Sequence, residues 1–180
     1  MTSVREIQTS DIDLIVHYWL DADHDYLKGM GVDVSKLPAR KQLHEMLMKQ
    51  INSNYQEKNA YCIIWELDGE PVGHSNTNPT YFGKEATMHL HLWKPAIRKK
   101  GLGTAFLKMT IPFFFKNLKI KKLFCEPYAL NPAPHKALQK IGFELVKEYT
   151  TIPGSMNFEQ PVKQWVLSDE KYRALFNDNF

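Results

Sequence analysis

Cysteine is scarce in this chain of 180 residues, with only Cys62 and Cys125 present. Both sit in apolar runs, Tyr61-Cys62-Ile63-Ile64 and Leu123-Phe124-Cys125, where a free thiol behaves as a small hydrophobe. Two isolated thiols give neither a disulfide framework nor metal-ligand spacing, and they suit a reducing compartment. Long hydrophobic runs are missing too. No stretch approaches the ~18 apolar residues of a membrane span, and Met1-Thr2-Ser3-Val4-Arg5-Glu6 lacks the apolar core of a signal peptide. A soluble, unprocessed cytoplasmic protein with no membrane partner is expected. Nor is one sign of charge in marked excess: a formal net charge of +3 is too small to argue for nucleic acid. Repeats, low-complexity tracts and interdomain linkers are also lacking.

What is present is a hydrophobic fraction of 43%, enough to cover a core in one domain spanning 1–180. Val4 to Gln8 alternates as a strand does. Ser10 can then cap a helix that places Ile12, Ile15, Trp19 and Leu20 on one face. The pattern dissolves into acidic sequence from Asp21 to Pro38, and a second helix is expected over Ala39–Ile51 with Leu43, Leu47 and Ile51 aligned. Strand formers over Ala60–Leu67 and Pro71–Asn76 flank Asp68-Gly69, the dipeptide of a tight type I′ hairpin. Ala86 to Trp93 reads as a third strand, followed after a turn by an apolar helix over Ala105–Phe115 that Pro112 should kink. Lys121–Pro127 is expected as a strand, Ala133–Ile141 as a helix closed by Gly142, and Phe143–Ile152 as a further strand. Pro153-Gly154-Ser155 turns the chain, Gln164–Leu167 pairs back, and Ser168-Asp169-Glu170 starts a terminal helix. Hairpins mixed with alternating helices predict an α/β fold with a mixed, mostly antiparallel central sheet and helices on both faces.

The most informative segment is Arg98-Lys99-Lys100-Gly101-Leu102-Gly103-Thr104, a basic turn between a strand and a helix start. Gly101 and Gly103 can take positive φ and let the main chain approach a ligand, so that successive N–H groups converge on a phosphate. A helix beginning near Thr104 adds about half a positive charge at its N-terminus. Other glycine-rich motifs fail on the neighbours. A P-loop needs Gly-Lys-Ser/Thr where Gly103-Thr104-Ala105 stands, and a dinucleotide fingerprint needs a small residue where Phe106 stands.

Pro95-x-x-Arg98-x-x-Gly101-x-Gly103 resembles the Arg/Gln-x-x-Gly-x-Gly/Ala pyrophosphate motif of the GNAT acetyltransferases. Downstream, Asn131-Pro132-Ala133-Pro134-His135-Lys136-Ala137-Leu138-Gln139-Lys140-Ile141-Gly142-Phe143 resembles that superfamily's Asn-x-x-Ser-x-(Arg/Lys)-x-(Leu/Tyr)-Glu-Lys-x-Gly-Phe segment. Leu138 and the ending Gln164-Trp165-Val166-Leu167 are closest in flavour to the RimJ/RimL-like enzymes that acetylate ribosomal proteins. The motif match covers residues 86–143.

The resemblance implies an acetyl-CoA-dependent N-acetyltransferase acting on a primary amine of a protein N-terminus or a small molecule, without a metal. It implies that strands 86–93 and 121–127 run parallel and splay. Pantetheine would enter the wedge and pair near Trp93, with the turn Arg98, Lys99, Lys100, Gly101, Leu102, Gly103 and Thr104 on the pyrophosphate. Asn131 would meet the pantetheine arm, and Lys136 or Lys140 could reach the cofactor. A monomer or homodimer fits, and nucleic acid is not an expected partner. Non-catalytic acyl-CoA binding is an alternative. RNA binding through the lysines of 94–122 would need a stacking platform that Phe113–Phe115 could only imitate.

Acyl transfer to an alkyl ammonium, with a pKa near ~10, calls for a base. Glu126, five residues before Asn131, stands where some relatives carry a catalytic glutamate. His89 and His91 share a strand face with Trp93 by period-two alternation, and His91 is the second candidate base. Leu138 takes the place of the tyrosine that many relatives offer as general acid, which leaves Tyr128 as a substitute. Asp21-Ala22-Asp23-His24-Asp25 begins like an EF-hand loop, but Tyr26 and Val32 occupy the positions of the turn glycine and bidentate glutamate. An acidic loop facing a cationic acceptor is the alternative expectation there.

Overall fold

Strand β2 (Tyr61–Leu67) sets the layering. Its first five residues are all buried, and alternation sends Tyr61, Ile63 and Trp65 into one core and Cys62 and Ile64 into another. The sheet therefore has helices on both faces. The computed structural model describes residues 1–97 and 101–176. Among these, β2 joins β1 (Thr2–Glu6), β3 (Glu70–Tyr81), β4 (Glu85–Leu92), β5 (Lys122–Cys125), β6 (Glu144–Thr151) and β7 (Gln160–Ser168) in the order β1-β2-β3-β4-β5-β7-β6. Every pairing is antiparallel except β4 with β5.

Helices α1 (Ile12–Leu20), α2 (His24–Gly29) and α3 (Arg40–Asn52) pack Ile15, Val16, Leu27, Leu43 and Leu47 against the Cys62 face. On the Trp65 face lie α4 (Leu102–Leu118), α5 (Pro132–Ile141) and α6 (Asp169–Phe176), contributing Phe106, Ile111, Phe114, Leu138 and Tyr172. The Trp65 and Phe106 rings stack at 5.1 Å, and Trp65 Nε1 donates to Thr110 Oγ1 at 2.9 Å, so the buried indole keeps a polar partner.

The β2–β3 hairpin has φ of 54° at Asp68 and 82° at Gly69, the two positive values that a type I′ turn demands. Elsewhere the elements depart from the sequence pattern for identifiable reasons. Ser10 does not cap α1; it sits in a 3-10 turn (Thr9–Asp11). Buried Asp11 organises that junction, accepting both Arg5 guanidinium nitrogens at 2.6 and 2.8 Å and the Gln8 N–H at 2.8 Å. α2 arises where acidic loop was expected, because Asp23 caps it by accepting the Tyr26 N–H while Leu27 alone is buried. α4 starts at Leu102, three residues before the expected Ala105, with Gly101 at φ 76° as its cap, and runs through Pro112 to Leu118. β3 and β7 extend well beyond Pro71–Asn76 and Gln164–Leu167, because each is paired on both sides.

Candidate functional site

β4 and β5 pair only at Glu85–Lys122, Ala86–Leu123 and Thr87–Phe124. Beyond Phe124 the β5 chain follows β7 instead: Cys125 pairs with Trp165, Lys163 N–H donates to Pro127 O, and Tyr128 bridges Val162. β4 meanwhile stays with β3 as far as Gly73–Leu92. The two parallel strands thus diverge, and a cleft of about 440 Å³ opens beside Met88, Leu90 and Glu126. α1, α3 and the segment 153–160 between β6 and β7 supply its other walls. That last segment is stitched to the residues after α2. Asp33 N–H donates to Met156 O at 2.8 Å, and Asn157 Nδ2 and Gln160 Nε2 both donate to Gly31 O.

Glu126 leaves the end of β5 at the mouth of this divergence and lines the cleft. Its Oε1 accepts from Tyr149 Oη at 2.7 Å and from Gln164 Nε2. The Tyr149 hydroxyl is pushed up to about 12 by burial and by this bond, so it stays a donor. Gln164 and Tyr149 were invisible as site residues in the sequence, since only the β5–β7–β6 register brings them to Glu126. Tyr128 lines the same cleft, its ring edge-on to Phe158. Asn131 occupies the N-cap of α5 but makes no side-chain cap bond there, and it too faces the cleft. His135 uses both ring nitrogens, facing Tyr128 O at 3.1 Å and taking the Trp165 indole N–H at 3.1 Å. Leu138 is fully buried, so its position looks into the core.

His91 and His74 lie opposite each other on β4 and β3 with rings 4.8 Å apart. His74 Nδ1 accepts the Trp93 indole N–H at 2.8 Å, and His91 Nδ1 faces the Tyr18 hydroxyl at 3.2 Å. Burial lowers both, His74 to about 3 and His91 well below the usual imidazole range, so both are neutral at pH 7. Burial also lowers His89, whose Nε2 lies 2.8 Å from Asn78 O at a β3 irregularity. His74 and Tyr18 were missed in the sequence, because pairing and helix packing bring them to His91.

Of the backbone near Trp93 that was expected at the divergence, the Trp93 N–H itself is engaged elsewhere: it donates to Val72 O at 2.9 Å, inside the β3 pairing, and the indole turns to His74. Strand alternation therefore directs the peptide groups of Leu90 to the side from which β5 departs. In the turn, among the described residues, nothing lies within 4 Å of where a side chain on Gly101 would begin, and Leu92 Cδ1 at 4.0 Å is the neighbour of that position on Gly103. The N–H groups of Leu102 and Gly103 have no acceptor within the helix by position, and Thr104 N–H makes a 3.2 Å contact to Gly101 O. Arg98, Lys99 and Lys100 lie outside the described residues. Lys136 and Lys140 are exposed on α5. The phenylalanines of α4 form no stacking platform: Phe114 and Phe115 are buried, and Phe113 packs against the same core.

The fold is shared with solved enzymes. Aminoglycoside acetyltransferase AAC(6')-Ib in complex with coenzyme A superposes with a TM-score of 0.72 at 17% identity, over 97% of this chain and 98% of that one. Spermidine N-acetyltransferase from Vibrio cholerae, in complex with CoA and spermine, gives 0.76 at 15% identity over 95% and 97%. RimL, a ribosomal alpha-N-protein acetyltransferase in complex with CoA, gives 0.75 at 13% identity over 94% and 95%. At these identities the likeness is one of fold. No curated protein matched the sequence. The family model of the acetyltransferase (GNAT) domain matches residues 3–144. With its motifs in order on a diverging strand pair and that model spanning most of its length, the chain belongs to the GNAT acetyltransferase family.

Proposed function

We propose that the protein transfers the acetyl group of acetyl-CoA to a primary amine, with a protein N-terminus as the first candidate and a small-molecule amine as the second. The observation that carries this reading is the divergence of β4 from β5 after Thr87 and Phe124, with Glu126 held at its mouth. CoA would lie with its pyrophosphate on the first turn of α4, its pantetheine amides against the Leu90 edge of β4, and Asn131 beside the arm. Positively charged Arg98, Lys99 and Lys100 precede that turn, and exposed Lys136 is the further cation near the cofactor.

Glu126 serves as base. Tyr149 and Gln164 occupy one carboxylate oxygen and fix its plane, leaving Oε2 to take a proton from the acceptor ammonium directly or through water. His91 is the weaker candidate, because burial makes its ring a poor proton acceptor at neutral pH. The Leu90 N–H suits the oxyanion that forms when the amine attacks the thioester carbonyl. Tyr128 is the hydroxyl that could protonate the leaving thiolate, whose pKa near ~8.5 also lets it depart unaided. No described helix is long and apolar enough to cross a membrane.

Calorimetric titration with acetyl-CoA tests the cofactor assignment. Wild-type protein should bind, and Gly103→Trp, which puts a large side chain at the helix start, should lose binding by at least about 100-fold. Thiol release with some amine then establishes transfer. Absence of wild-type binding would sink the reading, and binding without transfer to any amine would favour an acyl-CoA-binding module.

A further inference from the structure

The helical side of the cleft is mostly apolar and carries no charge: Gln50 is its polar exception, and the polar lining opposite, Asn76, Asn78, Ser155, Asn157 and Gln160, is uncharged too. Trp19 from α1, Met30 and Val32 following α2, and Leu43, Met46 and Leu47 from α3 form the apolar wall. Among the described residues, Glu126 is the only carboxylate lining the cleft, and no lysine or arginine lines it. The histidines on the wall are uncharged for the reasons given above. The acidic segment that could have received a polycation is occupied elsewhere. Asp21 accepts from Arg40 at 3.1 Å and lies 2.8 Å from His17, and Asp23 caps α2. Neither these two nor Asp25 lines the cleft, which overturns the expectation of an acidic loop facing the acceptor.

Desolvation decides what such a wall admits. One carboxylate compensates one ammonium, whereas each further ammonium brought off water against methionine, leucine and valine lacks a partner. An apolar body instead gains in proportion to the area it buries. The volume falls in the usual range for a site that takes one small molecule or one residue. Building on the transferase reading, we infer that the acceptor is a primary amine bearing a single positive charge on a large apolar group, and that the cleft rejects polyamines and aminoglycosides. Free arylalkylamines and peptide N-termini with a large apolar first side chain share this chemistry. In the transfer, Glu126 takes one proton from the ammonium, and the freed amine nitrogen forms a bond to the acetyl carbon. The nitrogen of the resulting adduct gives up its second proton, which is the one the departing thiolate takes up, while the proton on Glu126 returns to solvent. The carbon–sulfur bond then breaks, and the thiolate leaves with the electron pair and picks up a proton, giving the amide and free CoA thiol.

The experiment follows thiol release at saturating acetyl-CoA with 2-phenylethylamine, a peptide beginning with methionine and leucine, spermidine and kanamycin. One of the first two should show kcat/KM about 100-fold or more above both polycations, and which of them leads identifies the source. Spermidine or kanamycin reacting comparably or faster would overturn the acceptor assignment while leaving the transferase standing. No reaction with any of the four, despite acetyl-CoA binding, would overturn both. A second arm uses Met46→Glu, at a side chain 56% exposed on the rim, so that folding is spared. The added carboxylate should narrow the preference for 2-phenylethylamine over spermidine by about threefold to tenfold; an unchanged ratio would show that wall charge is not the selector.

Discussion

At the residue scale, Glu126 and His74 show how burial and partners assign opposite roles to ionisable side chains. Glu126 is half-buried, its orientation fixed by two donors on Oε1. Glu126→Gln keeps the shape and removes the proposed base, so on that proposal kcat with an alkylamine acceptor should fall about 10²- to 10⁴-fold while acetyl-CoA affinity stays constant by calorimetry. His74 is 2% exposed, and its Nδ1 must stay unprotonated to accept the Trp93 indole N–H. Its folded pKa, lowered to about 3, lies below the unfolded value of 6.5, so the unfolded chain binds more protons between them. Stability is therefore fully present above pH 6.5 and declines as the pH falls toward 3, by up to about 1.4 kcal/mol per pH unit for this one group. Urea midpoints at pH 7.5 and 5.0 should show a smaller drop for His74→Gln, whose amide oxygen can accept the same indole. An equal drop in both proteins would assign the acid sensitivity elsewhere.

At the scale of elements, hydrophobic pattern located what is long and two-faced, and failed on what is short. β2 was readable because it is apolar at five successive positions, the signature of burial on both faces. The Asp68-Gly69 hairpin was readable because few residues tolerate two positive φ values in a row. α2 was not, since a six-residue helix with one buried side chain has no periodicity to detect. In α4, Pro112 predicts a kink, and the helix continues through it because Ile111, Phe114, Phe115 and Leu118 bury one face on both sides of it. Packing outweighs the lost backbone bond. Pro112→Ala should restore the donor and raise stability by about 1–3 kcal/mol in urea unfolding, with acetyl-CoA binding unchanged.

At the scale of the molecule, the cleft exists because distant segments meet. Gln160, 1% exposed at the start of β7, donates to Gly31 O after α2 and to Phe158 O, tying the β6–β7 segment to the helical layer that walls the acceptor side. Gln160→Ala leaves buried Gly31 O with Asn157 alone. Stability should drop by about 1–3 kcal/mol, and the acceptor KM should rise while the acetyl-CoA dissociation constant, governed in the proposed placement by the first turn of α4 and the β4 edge, holds. Equal losses for both substrates in steady-state kinetics would mean that the seam supports the whole fold rather than one wall. Sequence by itself determined the layered mixed sheet, the hairpin, the glycine turn at a helix start and the position of Asn131, because these follow from local periodicity, φ demands and motif spacing. The tertiary structure decided which amide faces the diverging edge, which donors hold Glu126, that His74 and His91 are neutral, and that among the described residues Glu126 is the one carboxylate lining the cleft. Those properties depend on strand register and on burial between segments far apart in the chain, which local pattern does not encode.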